Sequence, residues 1–184
     1  MNALSEKTLK GVRINAEPGQ RPIHIDGHRT VPSLLRARCQ ANGDTVAHRE
    51  KDFGIWQTYT WNDYLAHARL IGMGLRLLGL QRGDVISILS EDNKEWMYCD
   101  MAAQCMGAIS SGVYTTDSAS QLAYLVNDSQ TRFLFVENEE QLDKFLEVED
   151  QMPSLVKVII FDPEGLHNFT NDKCILLSDL YDLG

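Results

Sequence analysis

Basic residues are scarce in this sequence: 17 Lys and Arg stand against 26 Asp and Glu, a formal net charge of −9 over 184 residues. Nucleic acids and anionic membranes are bound through clustered Lys and Arg, so the deficit argues against both and predicts no nucleic-acid partner. No run reaches the ~18 apolar residues that a transmembrane helix needs, and the N-terminus lacks the apolar core of a signal peptide. We therefore expect a cytoplasmic protein without a transmembrane segment, and leave open a peripheral membrane association through a lipid substrate.

Metal-binding and phosphate-binding patterns are also missing. No two of the four cysteines are spaced C-x-x-C, which argues against a zinc knuckle and a redox pair. His24 and His28 are four residues apart, but Ile25-Asp26-Gly27 between them argues against a helix and no further ligand is evident. No glycine-rich loop is followed by a phosphate-reaching lysine. The patterns thus predict no metal site and no catalytic residue.

The composition is that of a folded domain, with 43% hydrophobic and 23% charged residues. Residues 1–29 are polar and interrupted by prolines and glycines, which predicts an irregular N-terminal arm, with the domain proper over 30–184. A short helix is expected from Val31 to near Asn42-Gly43. A β-hairpin is expected from the two β-rich runs 45–49 and 55–59, with the turn-like residues 50–54 between them.

The remainder alternates apolar runs with amphipathic helices. Strands are predicted at 85–89, 109–114, 132–136 and 156–161. The intervening helices are opened by the capping residues Asn93, Ser118 and Asn138. Nearly unbroken apolar strands that alternate with helices predict an α/β fold: a doubly wound, mainly parallel sheet with helices on both faces, preceded by the small helix and hairpin.

Arg82-Gly83-Asp84 has the letters of a cell-adhesion tripeptide, but it connects two predicted elements. Gly79 ends the preceding helix, and a buried strand begins directly after Asp84. We interpret the tripeptide as a helix-to-strand connection. Gly72 and Gly74 do not have the spacing or the preceding strand of a dinucleotide-binding loop, so we interpret them as sites of close helix packing.

One dense polar cluster follows a predicted buried strand, in residues 111–118. Ligands of parallel sheets bind at the carboxyl ends of the strands, so Tyr114, Thr115 and Thr116 are candidate substrate-binding residues. The alternative is that the cluster only forms a turn and caps the next helix, since Ser118 already serves as an N-cap.

The motifs, taken in order, resemble the adenylate-forming (AMP-binding) acyl-CoA synthetases, in particular their long-chain fatty acid–CoA ligase branch. The similarity covers about residues 30–184, and its specificity lies in the order of the motifs, because no single one is unique. They are Tyr59-Thr60-Trp61, residues 78–89, Asn93-Lys94-Glu95-Trp96, Gly107-Ala108-Ile109 with residues 112–116, residues 136–144, residues 152–157 and Leu183-Gly184.

The resemblance implies a ligase that activates a long-chain fatty acid with ATP and Mg²⁺ and passes the acyl group to coenzyme A. The family's phosphate loop, acidic ribose-binding stretch and C-terminal lysine have no counterpart in these 184 residues, so no catalytic residue is carried over. The resemblance then implies a scaffold segment that is inactive alone, binds none of these cofactors tightly and has the remainder of a synthetase chain as its partner. The competing hypothesis is a stand-alone, flavodoxin-like α/β binding or interaction module.

Two further expectations follow. Trp96 shares helical spacing with Cys99 and Ala103, which predicts a core anchor rather than a ligand contact. Residues 178–184 begin like a helix where the sequence stops, which is typical of a truncated chain. Such a chain would expose apolar surface, so we expect a homodimer or aggregation.

Overall fold

The computed structural model describes residues 25–184, together with the backbone of β1 (Thr8–Leu9) and β2 (Val12–Arg13), which pair antiparallel. Most of the predicted arm lies outside the described residues, as does His24 of the histidine pair. The chain divides into two compact units, Met1–Leu65 and Ala66–Gly184. The boundary expected near residue 30 stays a prediction.

The first unit contains the predicted helix and hairpin. Helix α1 (Val31–Asn42) begins at Thr30, whose hydroxyl accepts from the backbone N–H of Ser33 at 3.2 Å. The hairpin joins β3 (Val46–Asp52) to β4 (Ile55–Thr60). The strands continue to the pair Asp52 and Ile55, so the five-residue connection expected at 50–54 is a two-residue turn.

That turn is made by Phe53 and Gly54, which both have positive φ, 43° and 82°. Two-residue hairpin turns of this kind favour Asn-Gly or Asp-Gly, because only small or locally hydrogen-bonding residues adopt positive φ at low cost. For a bulky residue such as Phe the left-handed region costs about 1–2 kcal/mol. The side chain of Phe53 recovers nothing by packing, since it is 100% exposed.

Helix α2 (Trp61–Leu77) runs from the first unit into the second and has well-formed ends. At its start the Asp63 carboxylate accepts from the N–H of Thr60 at 2.7 Å, and Asp63 N–H donates back to the Thr60 hydroxyl at 3.1 Å. At its end Gly79 adopts φ 99°, and Leu80 N–H donates to the carbonyl of Leu75 at 2.9 Å. This glycine-terminated cap turns the chain into the connection before the sheet.

The second unit is built on a five-stranded, wholly parallel sheet in the order β6-β5-β7-β8-β9. The predicted fold class is therefore confirmed, and Cys174–Leu176 adds a strand that the sequence analysis did not assign. The elements are β5 (Val85–Leu89), α3 (Lys94–Met106), β6 (Ile109–Val113), α4 (Ala119–Ser129), β7 (Thr131–Val136), α5 (Glu139–Val148), a 3-10 turn (Glu149–Gln151), β8 (Lys157–Ile160), β9 (Cys174–Leu176) and α6 (Leu177–Leu183).

Helices cover both faces because the chain reverses direction across the sheet. From β5 it moves outward to β6, then returns past β5 to β7, and right-handed crossovers place α3 on one face and α4 and α5 on the other. On the α4 and α5 side, alternate strand residues such as Leu89, Leu134 and Val136 pack against the helical residues Leu122 and Phe145. All five side chains are fully buried, so this face of the sheet forms an apolar core.

Within the second unit, two glycines of α2 bring that helix close to its neighbours. A Cβ added to Gly74 would lie 2.5 Å from the backbone oxygen of Leu180 in α6, and one added to Gly72 would lie 2.7 Å from Cε of Met106 in α3. The interpretation of these glycines as packing sites is consistent with that geometry. His67 of α2 stacks on Tyr98 with ring centroids 4.6 Å apart, and its Nδ1 lies 3.0 Å from the hydroxyl of Tyr181. Burial raises the pKa of Tyr181, so the phenol holds its proton to a higher pH than an exposed tyrosine does.

The connections that enter β5 and β6 are hydrogen-bonded to each other at the amino edge of the sheet. Gly83 N–H donates to the carbonyl of Gly107 at 2.9 Å, and Ile109 N–H donates to the carbonyl of Asp84 at 2.9 Å. Gly83 and Gly107 have positive φ, 88° and 71°. Arg82-Gly83-Asp84 is thus part of a helix-to-strand connection, as its sequence context predicts.

Trp96 differs from the expectation of a core anchor, because it is only partly buried. The buried face of α3 is formed by Tyr98, Cys99, Met101, Ala102 and Ala103. Trp96 lies in the first turn of α3 and covers Gly112 of the edge strand β6, where a Cβ would lie 3.5 Å from its ring. Replacing Trp96 should therefore cost less stability than replacing a fully buried aromatic residue.

We predict unequal outcomes for alanine at the two glycines of α2. Gly74→Ala places its methyl group against the backbone of α6, which has to move, so the free energy of unfolding should fall by about 1–3 kcal/mol. In Gly72→Ala the methyl group meets the side chain of Met106, with Cε at 2.7 Å and Cγ at 3.2 Å, while the nearest backbone atom, the Ala102 oxygen, is at an ordinary contact distance of 3.6 Å. Because a methionine side chain can move aside and alanine gains up to about 1 kcal/mol in helix propensity, the stability of this variant should fall much less than that of Gly74→Ala. Urea titration of both variants measures the difference, and an equal loss in both would contradict the packing argument.

Candidate functional site at the carboxyl edge of the sheet

The strand order reverses at β5, which pairs with β6 on one side and β7 on the other. In doubly wound sheets the crevice outside the carboxyl ends at such a reversal is the usual place for a ligand. Each of the three strands is followed there by polar residues: Ser90-Glu91 after β5, Tyr114-Thr115 after β6, and Glu137-Asn138 after β7.

Glu137 links the carboxyl ends of β5 and β7. Its carboxylate accepts from the backbone N–H of Glu91 at 2.6 Å and from the hydroxyl of Ser90 at 3.2 Å. Asn93, the N-cap of α3, donates from Nδ2 to the Ser90 oxygen at 2.7 Å. One carboxylate from β7 thus holds the loop that leads from β5 into α3.

The loop after β6 is held to the same place by two further hydrogen bonds. The Thr115 hydroxyl donates to the carboxylate of Glu91, and the Lys144 ammonium of α5 donates to the backbone carbonyl of Thr115. Residues that follow three different strands, together with one helix, therefore converge on Glu91 and Thr115.

These residues line an open groove of about 460 Å³. Its walls are Glu91, Thr115, Thr116, Glu137, Asn138, Glu140, Gln141 and Lys144. Gln141 is 4% exposed, and its Oε1 has no hydrogen-bond partner among the residues that the structure describes.

The charges of the groove are unbalanced toward the acidic side. Three carboxylates, of Glu91, Glu137 and Glu140, face one ammonium group, of Lys144. A negative groove repels carboxylates and phosphates and favours hydroxyl, amide or cationic groups. Within residues 25–184, however, no cluster of three or more His, Cys, Asp or Glu side chains has the geometry to hold a metal ion.

The three candidate residues from the sequence do not share one environment. Thr115 and Thr116 line the groove, whereas Tyr114 does not and is 79% exposed. Their assignment to substrate binding stays a prediction. Glu91, Glu137 and Lys144 were missed because only the strand order brings them together, although two of them are among the first polar residues after a buried strand.

The sequence profile of the AMP-binding enzyme family matches residues 35–174. Among curated proteins, the long-chain-fatty-acid–CoA ligase ACSBG2 of Xenopus laevis is 32% identical over 135 residues, which cover 73% of this chain and 18% of the relative. The long-chain-fatty-acid–CoA ligase FadD15 of Mycobacterium bovis is 28% identical over 138 residues, which cover 75% of this chain and 23% of the relative. The chain thus spans about a fifth of the length of the curated relatives it matches.

Solved structures have the same fold. An anthranilate CoA ligase, AuaEII, in complex with anthranoyl-AMP superposes with a TM-score of 0.73 at 19% identity, covering 83% of this chain and 28% of the ligase. A putative long-chain-fatty-acid CoA ligase from Rhodopseudomonas palustris gives a TM-score of 0.70 at 22% identity, covering 82% of this chain and 36% of the other. Among the residues described here, no helix combines the length and the apolar character needed to cross a membrane.

The groove yields a stability prediction. Glu137→Ala removes the acceptor for Glu91 N–H and one of the two acceptors of the Ser90 hydroxyl, which also donates to the Glu91 carbonyl at 3.0 Å. Because the bond to Glu91 is exposed to solvent, the free energy of unfolding should fall by about 1–2 kcal/mol. Amide hydrogen exchange at Glu91 should accelerate. Glu140→Ala is the matched control, because Glu140 lines the same groove and should cost less than about 1 kcal/mol. Equal losses in both variants would show that Glu137 does not hold the loop.

Proposed function

The chain belongs to the AMP-binding enzyme family, and we propose that it forms the N-terminal portion of a long-chain fatty acid–CoA ligase. The ligase would convert a long-chain fatty acid and ATP to acyl-AMP and pyrophosphate, and then transfer the acyl group to coenzyme A. In this proposal residues 30–184 are a scaffold on which the remainder of a synthetase chain packs.

The observation that carries the proposal is the family match over residues 35–174, which contains β5 to β8 of the parallel sheet. The strand order alone does not distinguish a ligase segment from a stand-alone flavodoxin-like module. A flavodoxin-like sheet has the same order, in which the chain reverses direction at the first strand. The long-chain ligases among the relatives support the choice of substrate class.

The groove residues do not fit the triphosphate of ATP. Adenylation moves negative charge onto a departing pyrophosphate, which requires Mg²⁺ together with cationic or N–H donors. The groove offers three carboxylates and one lysine, whose ammonium group already donates to the carbonyl of Thr115. The groove residues therefore supply no chemical step that involves ATP, Mg²⁺ or coenzyme A.

A supporting role in substrate binding remains for the loop after β6. The hydroxyls of Thr115 and Thr116 suit polar groups of a ligand, and the exposed ring of Tyr114 is the apolar surface of this loop. We further propose a cytoplasmic ligase of fatty acid metabolism that meets its lipid substrate at membranes.

We predict that the 184-residue chain has no ligase activity by itself, because the phosphate-binding and acyl-transfer groups are not supplied by these residues. Purified chain incubated with ATP, Mg²⁺ and palmitate should release pyrophosphate no faster than a sample without fatty acid. Fatty-acid-dependent release would contradict the scaffold assignment.

A chimera tests the proposed function directly. Residues 35–174 replace the matching segment of the Xenopus ligase, and palmitoyl-CoA formation is measured. We expect activity to be retained, because the segment supplies the same sheet to the same surroundings. A control chimera with the corresponding segment of the bovine relative ACSBG1, which resembles this chain at 30% identity, shows whether the exchange itself is tolerated. An active control beside a folded but inactive test chimera would overturn the proposal.

A further inference from the structure

The tip of the β3–β4 hairpin exposes three large apolar side chains in four consecutive residues. Phe53 is 100% exposed, Ile55 65% and Trp56 63%. Isolated exposed apolar residues are ordinary on protein surfaces, but three large ones at the tip of one hairpin, on both of its faces, indicate an interaction site.

The turn geometry indicates that Phe53 is not there for folding. It occupies the first position of a two-residue turn with φ 43°, where asparagine is favoured and a bulky residue is strained. Neither the backbone nor the exposed side chain gains from phenylalanine at this position. Backbone strain of this kind concentrates at functional positions.

The charges next to the tip are sorted by face. Cross-strand pairing places Lys51 opposite Trp56, with Arg49 two residues away on the same side. Asp52 pairs with Ile55 on the other side, where Glu50 also lies. The charged residues of the hairpin cancel, whereas the whole chain carries −9, so the tip is a locally neutral projection on an acidic protein.

We propose that this hairpin tip inserts into the interface of a zwitterionic phospholipid bilayer, such as phosphatidylcholine. Phe53 and Ile55 enter the acyl boundary. Trp56 lies at the headgroup level, where tryptophan is enriched at membrane surfaces. Lys51 and Arg49, on the same face as Trp56, extend to the lipid phosphates, and the acidic partners on the other face meet the choline groups. A neutral bilayer fits better than an anionic one, because the chain as a whole is acidic.

The proposal depends on the hairpin alone and not on the ligase assignment. Its test therefore uses binding and not activity, and each proposal can fail without the other.

The experiment is vesicle flotation of the 184-residue chain with phosphatidylcholine liposomes. Phe53→Asn removes the apolar tip and gives the turn its preferred Asn-Gly sequence, so the melting temperature should be unchanged or higher. Its partition coefficient should fall about tenfold or more, the contribution of one buried aromatic side chain. Leu77→Asn is the matched control: Leu77 is an exposed apolar residue of α2, at 69%, and its loss should leave binding unchanged.

Trp56→Phe supplies a spectroscopic readout. It preserves apolar character, so it should keep vesicle binding, but it should abolish the blue shift of tryptophan emission that binding produces in the parent chain. Absence of flotation by the parent chain overturns the proposal, as does unchanged binding of Phe53→Asn. If the parent chain instead forms a dimer without lipid, does not bind vesicles, and is made monomeric by Phe53→Asn, the tip contacts a second copy of the chain. That outcome would also overturn the proposal.

Discussion

The parallel pairing of β5 with both β6 and β7 is the constraint from which the second unit follows. The chain leaves β5 toward β6 and then crosses back over β5 to reach β7, and because both crossovers are right-handed this reversal places α3 on one face and α4 on the other. Both faces of the sheet are then covered, which is why Ile86 and Ile88 on one face of β5 and Leu89 on the other are all fully buried. The same reversal opens the crevice in which Glu91 and Glu137 meet.

That crevice is a structural joint between three loops. Glu137 satisfies the N–H of Glu91, Thr115 donates to the Glu91 carboxylate, and Lys144 fixes the loop after β6. The polar groups are largely engaged with one another, and their charge is wrong for phosphates. A scaffold that leaves phosphate chemistry to other residues accounts for both properties, and it agrees with a chain that spans a fifth of its relatives' length.

The sequence predicted the parallel sheet because unbroken apolar runs and side-chain caps are local signals. It did not assign β9, because three residues between a polar loop and a helix carry too little pattern. The hairpin turn was misjudged because phenylalanine at positive φ is rare. In the site, Thr115 and Thr116 could be predicted from the sequence because they directly follow a strand. The contacts of Glu137 and Lys144 could not, because they depend on the order of the strands in the sheet and on how α5 packs against it. Trp96 was assigned to the core because its helical spacing places it on the inward face of α3. Spacing does not show that the sheet beneath Trp96 ends at the edge strand β6, which leaves the side chain only partly buried.

The paired loops at the amino edge limit how the chain length can vary during evolution. Gly83 and Gly107 are hydrogen-bonded across two connections that are separate in sequence, and Ile109 bonds to Asp84 beside them. A residue inserted in either loop would displace the other and shift the register of β5 against β6. Length change at this edge therefore requires matched changes in both loops. Related chains should keep these two loops constant in length.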